Sequence, residues 1–551
     1  MSATELAQSP ETPDLLGAFP RLTDEQIGAL LEHGERRPVK AGDVLFREGD
    51  ESAELFVILS GQLAIVEGHG GPGERVIGVH GPGRILGELN LLTGQASLTT
   101  AVVTEPGEVL ALPAETVRDL AVEDPRFGDL LLRVCMLRRS MLTKLGAGLR
   151  IIGSRYSPDT RRLRDFAARN RIPHVWTDLE DDASAEALLR ELDVAPEDTP
   201  IVIWAGTHVL RNPSNADLGR LIGLRTSAPR GRVCDLVVVG AGPAGLATAV
   251  YGASDGLDTI VLDAVATGGQ AGTSPRIENY LGFPEGVAGA DLADRALIQA
   301  RKFGASLSVP SEALRLEQRG DHHVVMVDGD EEFEGRAVVI ATGVRYRKLD
   351  VPRLEEFERT NVYYAATPIE ARLCRGDPVA VVGGGNSAGQ ATVFLSKHAP
   401  RVRLILRENE LTEHMSRYLA DRIERSPNVE VMPHSEVREL LGHEELEGLV
   451  VEDTDRGERT TVEARALFVF TGADPCNGWL GDELALDEGG YVLTGAAAGS
   501  DLPLQTSRPG VFAAGDVRSG SVRRVAAAVG EGAMAVRLVH EHLRLAYTAS
   551  A

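Results

Sequence analysis

Two glycine-rich stretches carry the residue types and spacing that holding a phosphate requires. The first, DLVVVGAGPAGLATAVYGASDGLDTIVLDA, runs an apolar strand into Gly240-Ala241-Gly242-Pro243-Ala244-Gly245, then a helix, a second strand and Asp263. Gly240 permits a tight turn, Gly242 lets the backbone approach a pyrophosphate, and Gly245 allows helix and strand to pack closely. The helix N-terminus adds N–H donors and the positive end of a dipole. Asp263, 18 residues after Gly245, stands where a ribose hydroxyl needs an acceptor. A bare glycine turn is weak evidence; strand, helix and acid in register read as a dinucleotide site rather than a chance turn.

The second stretch, PVAVVGGGNSAGQATVFLSKHAPRVRLILRENE, puts Gly383, Gly385 and Ala388 in the same three roles, with Asn386 and Ser387 between them. Its second strand ends in Arg407, not in an acid. Four cations (Lys397, Arg401, Arg403 and Arg407) and no acid lie between positions 397 and 407. A 2′-phosphate needs such a guanidinium, whereas a bare ribose prefers a carboxylate. The pattern favours NADP(H), with Glu408 as the argument for NAD(H). The bland reading is that these charges only solvate a helix–strand connection.

The two turns lie 143 residues apart, an internal repeat of nucleotide-binding units. From Cys234 onward strands and helices alternate, the pattern of a parallel sheet with covering helices. Upstream, residues 37–115 break into short β-rich runs of four to seven residues separated by Gly, Asp or Pro-Gly, which reads as a small barrel or roll. A helical segment spans 114–145. Then LRIIGS, RRLRDFAARN, HVWTDL, ASAEALLREL and PIVIWA read as strand, helix, strand, helix and strand. Residues 1–20 are rich in Pro, Ser, Thr and acids and are expected to be loose.

Composition bounds the partners. The chain has 551 residues, 43% hydrophobic and 25% charged, which is ordinary for a globular protein. With 57 Lys+Arg against 81 Asp+Glu the net charge is −24, so nucleic-acid phosphates and anionic lipids are repelled. The four cysteines (Cys135, Cys234, Cys374 and Cys476) lie far apart with no C-x-x-C. That excludes a disulfide scaffold and a Cys-based zinc site, leaves no metal site expected, and fits a reducing cytoplasm. No basic, then apolar, signal opens the chain. The uncharged run 236–254 contains four glycines and a proline, which suits strand–turn–helix and not a membrane span. The chain reads as soluble.

Over 232–545 the chain resembles the thioredoxin-reductase family of flavoproteins. The resemblance rests on GAGPAG, GGQ (Gly268, Gly269, Gln270), IENY with Asn279, ATG (Ala341, Thr342, Gly343), VVGGGNSA, TGADP, and PGVFAAGDV followed by RRVAAAVGEGAMA. It implies that the first turn holds the FAD pyrophosphate and that Gly515-Asp516 places a carboxylate on the flavin ribityl chain. Arg523, Arg524 and Val525 would line the isoalloxazine ring. It further implies an FAD domain of 232–344 and 468–545. A nicotinamide domain of 345–467 would be inserted in it, swinging on hinges near 343–347 and 472–475, in a homodimer.

Three expected functional groups are missing. The family carries a C-A-T-C-D dithiol before the second turn; this chain reads Tyr364-Ala365-Ala366-Thr367-Pro368-Ile369, with Ala365 and Pro368 in the cysteine places. Dithiol exchange needs an attacking thiolate, so it cannot occur there. Cys374, the nearest thiol, reads as a buried small hydrophobe. Residues 148–228 resemble a thioredoxin or glutaredoxin fold whose C-x-x-C is Ser154-Arg155-Tyr156-Ser157, with Thr199-Pro200 where that fold keeps a cis-proline. This reads as a docking or spacer module rather than a thiol-binding one. Residues 21–147 resemble a cyclic-nucleotide-binding domain, with Gly87 and Glu88 matching the family and Glu88 placed for a ribose hydroxyl. The family's phosphate-binding arginine should fall near Ser97 or Leu98, yet no cation occurs from Glu88 to Val109. A phosphate without a paired charge is costly to bury, so a structural or differently liganded roll is favoured. No helix-turn-helix follows.

The expected fold is therefore multidomain α/β: an N-terminal β-roll, a thioredoxin-like α/β domain, and two Rossmann-like domains for FAD and NAD(P). The expected function is an FAD-dependent oxidoreductase passing electrons from NAD(P)H to an unidentified external acceptor. The alternatives are a redox-sensing flavoprotein with little turnover, or a thioredoxin-disulfide reductase using other cysteines.

Overall fold

The computed structural model describes residues 10–550 apart from 15–16, 51–53, 72–73, 146–147, 182–188, 191, 193, 196–197, 205–207, 229–230, 275, 359–360, 365, 367 and 444. After helix α1 (Asp24–Leu31) come β1 (Glu35–Val39), β2 (Val44–Phe46), β3 (Glu54–Glu67), β4 (Arg75–His80), β5 (Ile85–Leu86), helix α2 (Glu88–Thr93) and β6 (Thr100–Pro113). They form a six-stranded roll of order β1-β6-β3-β4, with β2 on β6 and β5 on β3. β3 and β6 run 14 residues each, longer than the short strands expected. Each bends at register shifts around Ser60 and Gln62, where Gly61 turns at φ +84° and a Cβ on Gly107 would overlap the Ser60 carbonyl. The strands read as short because bulges punctuate them.

Two further expectations are corrected here. The described part of the leading segment is pinned: Thr12 N donates to Val79 O (2.9 Å), Val79 N to Thr12 Oγ1 (2.8 Å), and Ala18 and Phe19 are buried. The single helix over 114–145 is two, α3 (Ala114–Glu123) and α4 (Pro125–Leu145), because Asp124 is held extended before a proline that cannot donate.

The next module has β7 (Leu149–Ile152), α5 (Pro158–Arg169), β8 (His174–Thr177), β9 (Ile201–Trp204), β10 (His208–Arg211) and α6 (Asn215–Leu221), in a sheet of order β10-β9-β7-β8. β7 and β8 are parallel, β9 is antiparallel to β7, and the Thr199–Pro200 peptide is cis. The helix expected over 183–192 lies mostly outside the described residues.

The remainder holds β11 (Val233–Val239), α7 (Pro243–Ser254), β12 (Thr259–Leu262), α8 (Gly289–Lys302), β13 (Ser306–Ser308), β14 (Ala313–Arg319), β15 (His322–Val327), β16 (Glu331–Ile340) and β17 (Val344–Tyr346). It continues with β18 (Val362–Tyr363), β19 (Val379–Val382), α9 (Asn386–Leu395), β20 (Val402–Ile405), α10 (Arg417–Glu424), β21 (Val429–Met432), β22 (Ser435–Gly442), β23 (Leu446–Asp453), β24 (Glu458–Glu463), β25 (Ala466–Val469) and β26 (Ala473–Pro475). β27 (Val511–Ala513) and α11 (Val525–Ser550) close the chain's described part. One sheet has order β13-β12-β11-β16-β15-β14 with β27 on β16; a second, all parallel, has order β18-β25-β19-β20-β21, beside a β22-β23-β24 meander. β17 and β26 pair as an antiparallel ribbon.

The chain divides into two compact units: Met1–Val237 with Ala249–Thr267 and Ala296–Gly335, and Val238–Thr248 with Gly268–Arg295 and Arg336–Ala551. The division falls inside β11, α7, α8 and β16. In the first unit the modules are joined by buried contacts. Ile298 of α8 belongs to the roll's core, Ala96 of the roll belongs to the core around Phe166 and Trp204, and Ala96 N donates to Ile222 O (2.9 Å). Arg225, its side chain 1% exposed, donates to Pro310 O (3.0 Å) and pairs with Asp328 (2.5 Å). Removing one partner of a buried, hydrogen-bonded charge is expensive. Arg225→Met is therefore expected to lower stability by about 2–4 kcal/mol and to speed limited proteolysis, measured by urea titration and trypsin digestion.

Candidate active site

The first glycine turn is built by contacts that tolerate no Cβ. β11 is buried over Leu236–Val239 save for its entry, and Gly240 turns at φ +107°. A Cβ there would lie 2.5 Å from the Ala341 carbonyl carbon and 2.8 Å from Thr342 N; one on Gly245 would overlap the Gly240 carbonyl. Gly242 alone faces space, its nearest neighbour in that direction being Gly269 Cα at 3.8 Å. Gly268 N donates to Ala241 O (2.7 Å) and Gln270 Nε2 to Val344 O (3.3 Å), so GGQ and ATG flank the turn. Pro243 and Ala244 open α7. A closed strand side and an open Gly242 side is the shape a pyrophosphate needs. In the first unit, Asp263 follows β12 and its Oδ1 accepts from Val265 N (2.9 Å) and Ala266 N (3.0 Å), which fixes the carboxylate. Asn279 is exposed.

Gly515 and Asp516 follow β27. Gly515 turns at φ +77°, and its N–H donates to Glu531 Oε2 (2.7 Å); a Cβ on it would stand 3.0 Å from Ala244 Cβ. Glu531, on α11, also pairs with Arg518 (2.5 Å). Burial, the largest cause, raises the Asp516 carboxyl above its ordinary value, with Arg523 opposing and Glu531 adding. Arg523 donates to Tyr491 Oη (2.5 Å) and lies 5.5 Å from that ring's centroid; Arg524 is exposed and Val525 begins α11. Sequence reasoning missed Glu531 and Tyr491. Glu531 lies inside the RRVAAAVGEGAMA run and Tyr491 in no motif, and each acts across 16 or more residues of chain, which local spacing does not reveal.

The second turn repeats the first. Gly383 turns at φ +137°, with a Cβ placed 3.0 Å from the Phe470 carbonyl carbon; Gly385 faces open space, and Ala388 is buried beneath α9. Asn386 Oδ1 accepts from Ser416 N (2.7 Å), while Ser387 is exposed. The four cations do not all lie at the turn. β20 runs parallel to β19, Val382 opposite Ile405, so the turn lies at the strands' C-terminal ends. Lys397 and Arg401 precede β20, about 13 Å away at the opposite end. Arg403 is 8% exposed and pairs with Glu430 (3.1 Å). Only Arg407 shares the end of the turn, and it is exposed. Glu408 is closer: a Cβ on Gly384 would stand 2.7 Å from its Cδ and 3.1 Å from its Oε1.

The stretch that the resemblance aligned with a dithiol is only partly described. Ala365 and Thr367 lie outside the described residues; Ala366 is buried and Pro368 opens a short helix, Pro368–Leu373. Cys374 is buried in the core around Phe468, and burial pushes its thiol up to about 12. Burial does the same to Cys135 and Cys234, each up to about 12. Cys476, half-buried, ties the ribbon through its backbone: its N–H donates to Gly343 O (3.0 Å), and Thr342 Oγ1 donates to its carbonyl (2.8 Å).

Residues 234–532 match the pyridine nucleotide-disulphide oxidoreductase family over more than half of the chain. The chain belongs to that family. The thioredoxin reductase of Streptomyces clavuligerus is 33% identical over 304 residues, 55% of this chain and 92% of that protein. The 34.2 kDa protein in the rubredoxin operon of Clostridium pasteurianum is 32% identical over 309 residues, 56% of this chain and 97% of its own. Among solved structures, the thioredoxin reductase of Lactococcus lactis in its FR conformation superposes with TM-score 0.53 and 28% identity, over 56% of this chain and 98% of the other. The thioredoxin reductase of T. acidophilum gives TM-score 0.52 and 29% identity over the same shares. The chain is thus a thioredoxin-reductase-like, FAD- and NAD(P)-dependent oxidoreductase. Residues 36–124 match the cyclic nucleotide-binding domain, so the oxidoreductase carries that domain at its N-terminal side. No helix among the described residues is long and apolar enough to cross a membrane.

In the roll, Glu88 faces inward. Glu88 is 1% exposed, and its Oε1 accepts from Arg138 Nη1 (2.9 Å). Arg138, on α4, also donates to Ile85 O (2.9 Å) and Ala18 O (2.8 Å). One of its oxygens is thus held by a cation 50 residues away, while Oε2, also buried, has no hydrogen-bond partner among the described residues. Gly87, at φ +91°, is closed in by the Glu54 carbonyl. The stretch that should carry the phosphate's arginine is equally committed: Ser97 is buried with its Oγ donating to Thr99 O (3.1 Å), and Leu98 packs on the thioredoxin-like core.

Two outcomes follow from this geometry. Gly240→Ala should weaken FAD binding by about 30-fold or more, since left-handed backbone at a non-glycine costs about 2 kcal/mol before the clash with Ala341; the ratio of flavin to protein absorbance in purified material reads it. Glu88→Gln should cost about 2–3 kcal/mol, and cyclic AMP should leave the melting temperature of the unaltered protein unchanged.

Proposed function

We propose that this oxidoreductase takes reducing equivalents from a nicotinamide nucleotide held at the second turn into FAD held at the first, and delivers them to an acceptor outside its own sulfur. FAD, once bound, supplies the ability to accept a hydride and to release electrons onward. The protein's residues do the rest. Gly240, Gly242 and Gly245 with the N-terminus of α7 cradle one pyrophosphate, and Gly383, Gly385 and Ala388 with α9 cradle the other. Glu531 holds Gly515-Asp516 in place, and Tyr491 holds Arg523.

The observation that carries this reading is the loss of thiols at the second turn. Ala365 and Pro368 replace the dithiol, and Cys374 is buried with a thiol pushed to about 12. At pH 7 that leaves on the order of one thiolate in 10⁵. The thioredoxin-like module supplies no substitute: Ser154 Oγ donates to Glu180 (2.5 Å), and Ser157 Oγ caps α5 by accepting from Thr160 N (3.3 Å). We read this module as a spacer and the roll as a structural domain, because the segment that would bind a cyclic phosphate is spent joining the two.

Anaerobic addition of NADH or NADPH to the yellow protein is expected to bleach the flavin band, and replacing all four cysteines by serine should leave that bleaching intact. Stopped-flow reoxidation with oxygen, quinones and iron–sulfur acceptors then identifies the exit. A spectrum that stays oxidised refutes the proposal; bleaching followed by no reoxidation with any acceptor favours a redox sensor. Thioredoxin-linked turnover lost in the serine variant would restore the disulfide-reductase reading.

A further inference from the structure

Building on the nicotinamide reading of the second turn, we propose that Glu408 makes that site select NADH over NADPH, its carboxylate accepting from the adenosine ribose hydroxyls and turning a 2′-phosphate away. The residue that exits the second strand of a dinucleotide unit meets the ribose, because ligands lie outside the carboxyl ends of parallel strands. Here β19 and β20 are parallel, and the chain leaves β20 through Leu406, Arg407 and Glu408. That exit is held, not loose: Leu406 N donates to Met432 O (3.1 Å), Ser435 N to Leu406 O (2.9 Å), and His434 N to Glu408 O (3.3 Å).

The carboxylate then lies against Gly384, the middle glycine of the turn, and only the missing side chain there leaves room for it. Among the described residues it makes no hydrogen bond and no ion pair, so its acceptor capacity is uncommitted. Arg407 is exposed and likewise makes no ion pair among them. From Glu408 to Ser416 there are three acids and no Lys or Arg. Glu413 Oε1 accepts from Asn409 N (3.0 Å) and Glu410 N (3.2 Å), which keeps this loop in place around the exit. A 2′-phosphate would meet the Glu408 carboxylate beside the exposed Arg407, with Arg417 following the Ser416 that bonds Asn386, whereas two ribose hydroxyls would find in Glu408 the acceptor they need.

Isothermal titration of the full-length, FAD-loaded protein with NAD⁺ and NADP⁺, which bind without reducing it, tests this. NAD⁺ should bind about 10- to 100-fold more tightly, the span expected for hydrogen bonds to a charged group. Glu408→Gln keeps the shape and should shrink that ratio by about tenfold; Glu408→Arg should reverse it. Lys397→Ala and Arg401→Ala should leave both affinities unchanged. Tighter binding of NADP⁺ by the unaltered protein, lost in Arg407→Ala, overturns the proposal and leaves the proposed function standing. Binding of neither nucleotide, with the flavin retained, overturns the reading of the second turn and this proposal together.

Discussion

Each nucleotide turn depends on one backbone-to-backbone contact. Gly240 presses on the carbonyl of Ala341, and Gly383 presses on the carbonyl of Phe470. In both cases the partner heads a Thr-Gly pair, Thr342-Gly343 and Thr471-Gly472, from which the chain runs into β17 and β26. The glycine spares a side chain so that two strands can end at the same level, and that common edge is what a pyrophosphate rests on. The internal repeat thus extends beyond the turn itself. It includes the exit of the neighbouring strand.

Much of this was legible because it is local. Glycines, the strand before them and the helix after them occupy a few consecutive positions, and their roles follow from covalent geometry. What escaped was long-range. Four cations crowd positions 397 to 407, but a strand of four residues separates Lys397 and Arg401 from the glycines, and Arg403 is turned to Glu430. Counting charges along a sequence ignores which end of the strand they occupy. Glu408, one residue further, carries the contact. Likewise the lack of any cation from Glu88 to Val109 was visible, while the pairing of Glu88 with Arg138 of α4 was not. The strands of the roll looked short because Gly61 and Gly107 mark bends inside long ones.

Two stretches that the sequence singled out are taken up by packing. Ala366 and Cys374 join the core around Phe468. Ala96 and Leu98, beside the expected phosphate-binding arginine, join the core of the thioredoxin-like module. Glu88 is turned inward to Arg138. In the first unit these replacements weld roll and thioredoxin-like module to one another, and Arg225 with Ile298 welds both to the strands and helix that follow. An arginine buried at a module boundary, hydrogen-bonded to a carbonyl and a carboxylate, is unsuited to a freely tethered domain.

The β17–β26 ribbon brings together two stretches of chain far apart in sequence. Residues 345–467 are reached and left by two strands hydrogen-bonded to each other, Val344 opposite Pro475 and Tyr346 opposite Ala473, with Arg347 bonded to Asp474 at 2.8 Å just beyond. Two unpaired connections could part from each other; a laced pair cannot, so the entry and the exit of this stretch are kept side by side at the spacing of neighbouring strands.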